Sequence, residues 1–259
     1  MAQASKRLAD RLIGGASRVA ARRIPFRPHF INLDAPLVSF SFDDFPLSAA
    51  ENAAPILEAA GARGTYYFAG GLAGKLENGR EIASKEVAAD LAARGHDIGG
   101  HTHSHYNVQV TPRETMLADV SRNIADIRTI VDRPPASFAY PYGVVSLPSK
   151  LALANRFRGL RGIETGINAR LADLAHLRAQ ELYDASSTIE EIATLLDDVA
   201  RQRGWLIFYT HDVEPNPTSI GCSTEYFRAV VQLVASRGIE IVTVANGLER
   251  IGVAATADA

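Results

Sequence analysis

Cysteine is nearly missing from this chain. Cys222 stands alone among 259 residues, which excludes an internal disulfide and fits a reducing compartment. Long apolar runs are missing as well. No stretch approaches the roughly 20 residues needed to span a bilayer, and the opening MAQASKRLADRLIGGASRV lacks the continuous apolar segment of a secretory signal. Together these absences predict a cytoplasmic protein. There is no large excess of either charge: the net is −2, which argues against nucleic-acid binding by overall electrostatics. Repeats and low-complexity segments are also lacking. What is present is 47% hydrophobic residues, enough for one substantial core, at a length common for single-domain α/β barrels.

The compositional anomaly is the N-terminus. Residues 1–24 carry Lys6, Arg7, Arg11, Arg18, Arg22 and Arg23 against Asp10, a net +5 that leaves −7 for the remainder. At a period of about 3.6 residues, Arg7, Arg11, Arg18 and Arg22 fall on one stripe, beside an apolar stripe of Leu8, Leu12, Ile13, Ala16 and Val19. Such a basic amphipathic helix suits peripheral contact with an anionic membrane, here the inner face of the cytoplasmic membrane. The plainer reading is a helix packed on its own domain with a solvated basic face, and Gly14-Gly15 weakens either helix. Residues 1–30 are accordingly treated as an N-terminal extension, and 31–259 as one domain.

From Leu37 the pattern repeats as strand, turn, helix. Strands are expected at Leu37 to Phe42, Thr65 to Phe68, His96 to Gly99, Ser137 to Tyr140, Trp205 to Tyr209 and Ile239 to Val244. Helices are expected near 48–60, from Ser84 to Arg94, from Thr111-Pro112 to about Val131, and near 149–156, 188–202 and 224–237. The alternation predicts parallel βα units, and their number favours a barrel over a small open sheet.

The polar residues of interest follow predicted strands. Asp43-Asp44 ends the first, His101 and His105 follow the third, Tyr142 the fourth, and His211 the buried run ending in Tyr209-Thr210. In a parallel barrel the strand C-termini share one face, so these segments converge on one mouth. On a helical turn, the spacing of His101 and His105 would stack two imidazoles on one side, as one metal requires. A carboxylate as third ligand leaves positions open, and zinc in such a site lowers the pKa of water to about 7. Asp43 and Asp44 cannot both point one way along a strand, although a turn relaxes that rule. Taken singly, an Asp-Asp pair is commonly a cap or turn, and a His-x-x-x-His pair is commonly incidental.

Taken in order, Ser41-Phe42-Asp43-Asp44, the run from Gly95 through His101-Thr102-His103-Ser104-His105, Tyr140-Pro141-Tyr142-Gly143, and Tyr209-Thr210-His211 resemble the motifs of NodB-type polysaccharide deacetylases, of the carbohydrate esterase family 4 kind. The resemblance covers residues 37–245. It implies a distorted (β/α)7 barrel, one divalent metal (zinc, with cobalt, manganese or nickel as alternatives) and de-N-acetylation of amino-sugar polymers. Asp43 then matches the catalytic base, Asp44, His101 and His105 the metal ligands, and Thr102 a supporting position. Tyr142 matches the residue that binds substrate and whose backbone N–H stabilises the oxyanion; His211 matches the general acid. SFDDFP and FYTHDV are also similar to bacterial exopolysaccharide and holdfast deacetylases, for which a lipid-linked or cytoplasmic glycan precursor would serve as substrate.

Three departures stand out. Phe45-Pro46 replaces the family's usual glycine. Ala139 occupies the position of an arginine that pairs with the base, leaving Arg161, Arg170 and Arg178 as candidates. No Asp-rich segment orients the acid histidine, and Asp173 and Asp184 are the weak matches. His103, out of phase with the ligands, is expected to face solvent or substrate. Cys222 and Trp205 read as packed residues. Two alternatives remain beside the deacetylase: a metal-dependent amidase of a small N-acyl or cyclic amide, and an inactive carbohydrate-binding or assembly protein, which the loss of arginine at 139 would favour.

Overall fold

A computed structural model describes residue 17 and residues 19–254. In chain order its elements are β1 (Pro28–Ile31), β2 (Leu37–Phe42), a π-helical turn (Ala49–Ala53) running into α1 (Ala54–Ala59), β3 (Thr65–Phe68), β4 (Leu76–Glu77), β5 (Arg80–Glu81), α2 (Lys85–Ala93), β6 (Asp97–Gly100), α3 (Arg113–Val131), β7 (Ser137–Ala139), α4 (Leu147–Leu153), β8 (Gly159–Arg161), β9 (Arg170–Asp173), β10 (Gln180–Glu181), α5 (Ile189–Gln202), β11 (Trp205–Thr210), α6 (Thr224–Ser236), β12 (Glu240–Ile241) and α7 (Val244–Arg250).

Seven parallel strands lie in the order β10-β11-β2-β3-β6-β7-β8. The segment leading into β10 closes the circuit. Its early residues bond to β8, with Leu177 N–H donating to Leu160 O and Gly162 N–H to Leu177 O, whereas its end bonds to β11 through Leu182 N–H and Tyr209 O. The result is a distorted (β/α)7 barrel. β12 takes only the lower part of one edge of β2, opposite Leu37 and Val38, and β3 takes the upper part at Ser41 and Phe42. The expected strand over 239–244 is therefore cut short: Thr243 caps α7, a helix absent from the periodicity reading, by accepting from Asn246 N–H.

The two-residue alternation of the central strands divides the core. Val38, Phe40, Phe42, Leu206 and Phe208 pack in one cluster with residues of α1, α5 and α6. Leu37, Trp205, Ile207 and Tyr209 pack in a second cluster with α7 and the closing segment. Trp205 is fully buried and its indole N–H donates to Ser39 Oγ at 2.9 Å, the structural role expected. Local signals set the helix starts. Ser84 accepts from Val87 N–H, and Thr188 with Glu191 forms a full capping box at α5. α3 starts at Arg113, just after the expected Thr111-Pro112. Pro112 is the N-cap, and the Thr111 hydroxyl donates to Asn107 O instead of capping.

Most of the expected N-terminal helix lies outside the described residues. Residues 19–23 are helical, and Ala21 is buried among Val145, Leu153 and Ala154. Lys150 Nζ, fully buried, donates to Ala21 O and Ile24 O, while Val19, placed on the apolar stripe, is 56% exposed. Among the described residues no helix is long and apolar enough to cross a membrane.

β2 ends in an unusual turn. Asp44 (φ 60°) and Phe45 (φ 61°) are both left-handed although neither is glycine, at a cost of about 1–2 kcal/mol each. The Phe45 ring is completely buried, 4.8 Å from the centroid of Tyr66 and 6.4 Å from that of Phe68. Truncating such a ring typically costs about 3–5 kcal/mol, so packing outweighs backbone strain. Phe45→Gly is therefore expected to lose roughly 2–4 kcal/mol in urea unfolding. A variant more stable than the parent would mean that backbone strain at residue 45 exceeds what the ring gains by packing.

Candidate active site

The mouth is assembled from the C-terminal ends of β2, β6, β7, β8 and β11, each bringing its residues to one level. Asp43 N–H continues the sheet by donating to Thr210 O at 2.9 Å. The left-handed turn that follows lifts the alternation rule, and both carboxylates are buried at the site, with Asp43 5% and Asp44 3% exposed.

His101 and His105 converge on Asp44, but not from a helical turn. Residues 101–105 form a loop in which Thr102 (φ 56°) and His105 (φ 52°) are left-handed. Thr102 Oγ1 stabilises this loop by accepting from Tyr106 N–H. The main chain of His101 is fixed by Asn123 of α3, whose Oδ1 accepts from His101 N–H while its Nδ2 donates to Phe68 O. The ring is oriented by Nδ1–H donating to Ala139 O at 2.8 Å, which leaves Nε2 as the lone-pair nitrogen. That Nε2 lies 3.4 Å from Asp44 Oδ1, and His105 Nε2 lies 3.0 Å from the same oxygen. Asp44 Oδ1 nonetheless makes no properly directed hydrogen bond and is buried. Burial pushes the Asp44 carboxyl up, and imidazoles protonated at Nε2 would outweigh it and hold it far below the usual carboxylate range. With Nε2 unprotonated, the same atoms present only lone pairs to Oδ1, and a cation must take the protons' place. One oxygen and two nitrogens, all within 4.8 Å of one another, thus face a common point, a donor set and spacing that fit one divalent metal with open positions.

The arginine missing at residue 139 is supplied one strand away. Ala139 and Arg161 are register partners of β7 and β8, and the Arg161 guanidinium makes an ion pair with Asp43 Oδ1. Arg161 is fully buried, with the Tyr67 and Tyr209 ring centroids 5.1 and 5.0 Å from its Cζ. Burial would lower its pKa, yet the charge of Asp43 reverses that and raises it. Arg170 and Arg178 take no part: both are exposed, and Arg178 contacts Thr165 O instead.

His211 donates from Nδ1 to Ile220 O at 3.1 Å, leaving Nε2 available. Burial lowers its pKa, opposed by the negative field of Asp43 and Asp44. Neither suggested aspartate orients it. Asp173 accepts from Lys150 Nζ and from the N–H groups of Phe26 and Arg27, and Asp184 accepts from Ser223 N–H. The support comes from Asp212, fully buried, which accepts from Thr218 N–H and Oγ1 and so braces the loop carrying Ile220.

Tyr142 is also left-handed (φ 60°), within the turn Pro141–Gly143, and its side chain remains 59% exposed beside the His105 ring, centroids 4.5 Å apart. It is the aromatic surface a sugar ring can meet at the mouth. His103 does not face solvent or substrate. Its Nδ1 pairs with Asp126 Oδ2 at 2.7 Å, and its N–H donates to Asp119 Oδ1, so it pins the ligand loop to α3. Cys222 is buried and its thiol is pushed up to about 12 by that burial, consistent with a packed residue.

Sequence reasoning missed Arg80 altogether. Its Nη2 donates to Asp44 Oδ2 at 2.8 Å, with both side chains 4% exposed. Asn78-Gly79, both at positive φ, form the tight turn between β4 and β5 that delivers it, and this dipeptide is the signal that could have revealed the hairpin.

Residues 31–158 match the family model described as polysaccharide deacetylase. No curated protein sequence matches the chain. Among solved structures, the chitin deacetylase of the fungal pathogen Colletotrichum lindemuthianum is 18% identical with a TM-score of 0.61, over 86% of this chain and 91% of that one. IcaB from Ammonifex degensii is 23% identical with a TM-score of 0.52, over 56% of this chain and 67% of that one. PdaA of Bacillus subtilis, a family 4 carbohydrate esterase, is 10% identical with a TM-score of 0.54, over 84% and 82%.

The buried Asp43–Arg161 pair makes a direct prediction. Arg161→Met leaves Asp43 buried without its cation and is expected to cost about 3–5 kcal/mol in chemical denaturation. Adding Asp43→Asn should recover much of that loss, because no uncompensated charge then remains. Strictly additive losses would show that the two side chains are not energetically coupled.

Proposed function

Because the chain belongs to the polysaccharide deacetylase family over residues 31–158, and is thereby a hydrolase of amide bonds, we propose that it removes acetyl groups from a glycan containing N-acetylglucosamine, or from a lipid-linked precursor of one. The observation that carries this reading is the buried, unpartnered Asp44 Oδ1 facing two imidazole nitrogens beside a second carboxylate. Asp44, His101 and His105 would hold a divalent metal, zinc first and cobalt, manganese or nickel otherwise, which when bound would supply Lewis acidity at the acetyl carbonyl and acidify water.

The protein groups divide the remaining work. Asp43, held by Arg161, accepts the proton of the attacking water. The backbone N–H of Tyr142 steadies the developing oxyanion, and its exposed ring carries the sugar. His211 donates from Nε2 to the departing amine, its other nitrogen being committed to Ile220 O. Arg161 also weakens the inactive-protein alternative, which rested on the missing arginine at 139. The test is acetate release from N-acetylglucosamine oligomers by protein as purified, after chelation, and after metal is restored. Release should vanish with chelator and return with zinc or cobalt. Asp44→Ala should lose both metal and turnover, while Asp43→Asn should keep metal and lose at least about 100-fold in rate. An Asp43→Asn variant near the parent rate would remove Asp43 from the base role.

A second surface favours a lipid-linked substrate. Phe30 is 80% exposed and lies opposite Leu171, 49% exposed, across β1 and β9. Val19, Pro25 and Leu171 line a cleft of about 570 Å³ with Arg22, Arg23 and Arg178 and with the acidic Glu164 and Asp173, and exposed Ile24 and Phe26 adjoin it. Arg22 is paired with Glu164 at 3.0 Å and Asp173 with Lys150, so Arg23 and Arg178 give this face its positive surplus, which an anionic bilayer complements together with the apolar tips. The full chain is expected to co-sediment with phosphatidylcholine vesicles only when phosphatidylglycerol is included. Phe30→Ser with Leu171→Ser should weaken that binding several-fold at unchanged activity on soluble oligomers. Equal binding by the double variant, or self-association through this face without vesicle binding, would overturn the membrane reading.

A further inference from the structure

Arg80 belongs to an excursion that the strand-helix rhythm of the barrel does not require. β4 and β5 form a two-stranded hairpin whose outer residues are exposed, Leu76 by 73%. The excursion is tied to the turn after β2 on its own account. Pro46 bridges Ile82, Ala83 N–H donates to Phe45 O at 2.9 Å, and Ile82 is 1% exposed. These contacts anchor the hairpin without any charge at residue 80. A buried ion pair is in any case weak grounds for stability, since desolvation opposes its Coulomb gain. Arg80 therefore calls for a different explanation than holding the hairpin down.

A carboxylate can bind a metal through one oxygen or both. At Asp44 the two oxygens have different surroundings: Oδ2 accepts from Arg80 Nη2, while Oδ1 is unpartnered and lies 3.0 and 3.4 Å from the two imidazole nitrogens. Rotation of the carboxylate to offer both oxygens would break the charge-assisted bond and leave the buried guanidinium without an acceptor, because its Nη1 already lacks one. Asp44 also sits on a left-handed backbone followed by a second left-handed residue, so its direction rests on the groups around it. We propose that Arg80 is a positioning residue that commits Asp44 to one-oxygen ligation, keeping Oδ1 aimed at the metal and the remaining coordination positions free for water and the acetyl carbonyl. This inference rests on the metal-centre reading above and adds to it a residue outside the ligand set.

The test uses the full chain and reads metal binding as well as rate. Zinc and cobalt affinities are measured by competition with a chromogenic chelator, and the visible absorption of the cobalt form reports coordination number. Arg80→Met is expected to weaken metal binding about 10- to 100-fold, the usual loss when a residue orienting a metal ligand is removed. It should also dim the cobalt bands as the freed carboxylate brings in its second oxygen. Arg80→Lys, which keeps a cationic donor, should recover part of both properties. Arg80→Gln is too short to reach Oδ2 and should resemble Met; it decides the matter if Arg80→Met does not fold. Parental affinity and spectrum in the folded Met or Gln variant, even with a lower melting temperature, would overturn the proposal and reduce Arg80 to a brace. A parent protein that binds no metal would instead overturn the metal-centre reading, and Arg80's role with it.

Discussion

Two adjacent carboxylates buried at the end of one strand are the constraint from which the rest of the site follows. A single unpaired buried charge is prohibitively expensive, and two side by side also repel one another. Asp43 and Asp44 solve this with separate arginines, Arg161 from β8 and Arg80 from the β4–β5 hairpin. Each guanidinium takes one oxygen. The compensation is incomplete at one atom, Asp44 Oδ1, which is left facing His101 and His105. A polar atom buried without a partner is rare in native proteins, and one surrounded by lone-pair donors is the electrostatic description of a cation site.

The barrel matters because it brings parts distant in sequence to one level. Asp43 and Arg161 are 118 residues apart, yet β2 and β8 end at the same mouth. Support for these groups comes from main-chain atoms as often as from side chains: Ala139 O orients His101, Ile220 O orients His211, and Phe68 O holds the Asn123 side chain that fixes His101. Backbone carbonyls of a packed barrel are rigid acceptors, and their use does not depend on which side chain occupies the position. Ala139 can therefore orient His101 while carrying no functional group of its own.

The same reliance on main-chain atoms and strand register divides what was legible in the sequence from what was not. Strands such as Leu37–Phe42 and Thr65–Phe68 were readable to the residue because they are apolar or aromatic runs with abrupt polar or glycine ends. Asp44, His101 and His105 were readable as a candidate donor set because metal binding demands particular side-chain types in a recognisable order, and the fold brings the three together. Arg161 could be named only as one of three, since strand register, and not composition, decides which arginine reaches Asp43. The orienting partner of His211 was sought among aspartates and turned out to be a carbonyl, which carries no sequence signal. His103 was misjudged because the phase argument assumed regular local structure, whereas left-handed Thr102 and His105 turn the chain and deliver its ring to Asp126.

The departures from the family pattern are better understood as linked than as separate losses. Glycine after the two aspartates would adopt a left-handed conformation freely, so phenylalanine there needs a compensating gain. It finds one in the packing of its ring against Tyr66 and Phe68 and in the donation from Ala83 to its carbonyl. Ala83 closes the same excursion that carries Arg80, so the side chain that tolerates strain at 45 and the cation that steadies Asp44 arrive on one supporting structure. Glycine at 45 would ease the backbone and keep the carbonyl that Ala83 donates to, but it would lose the ring that packs the turn against Tyr66 and Phe68. The replacement of Ala139's expected arginine follows the same logic one strand over, where Ala139 and Arg161 are register neighbours. There the charge balance around Asp43 is kept although the arginine stands on β8 and not at residue 139.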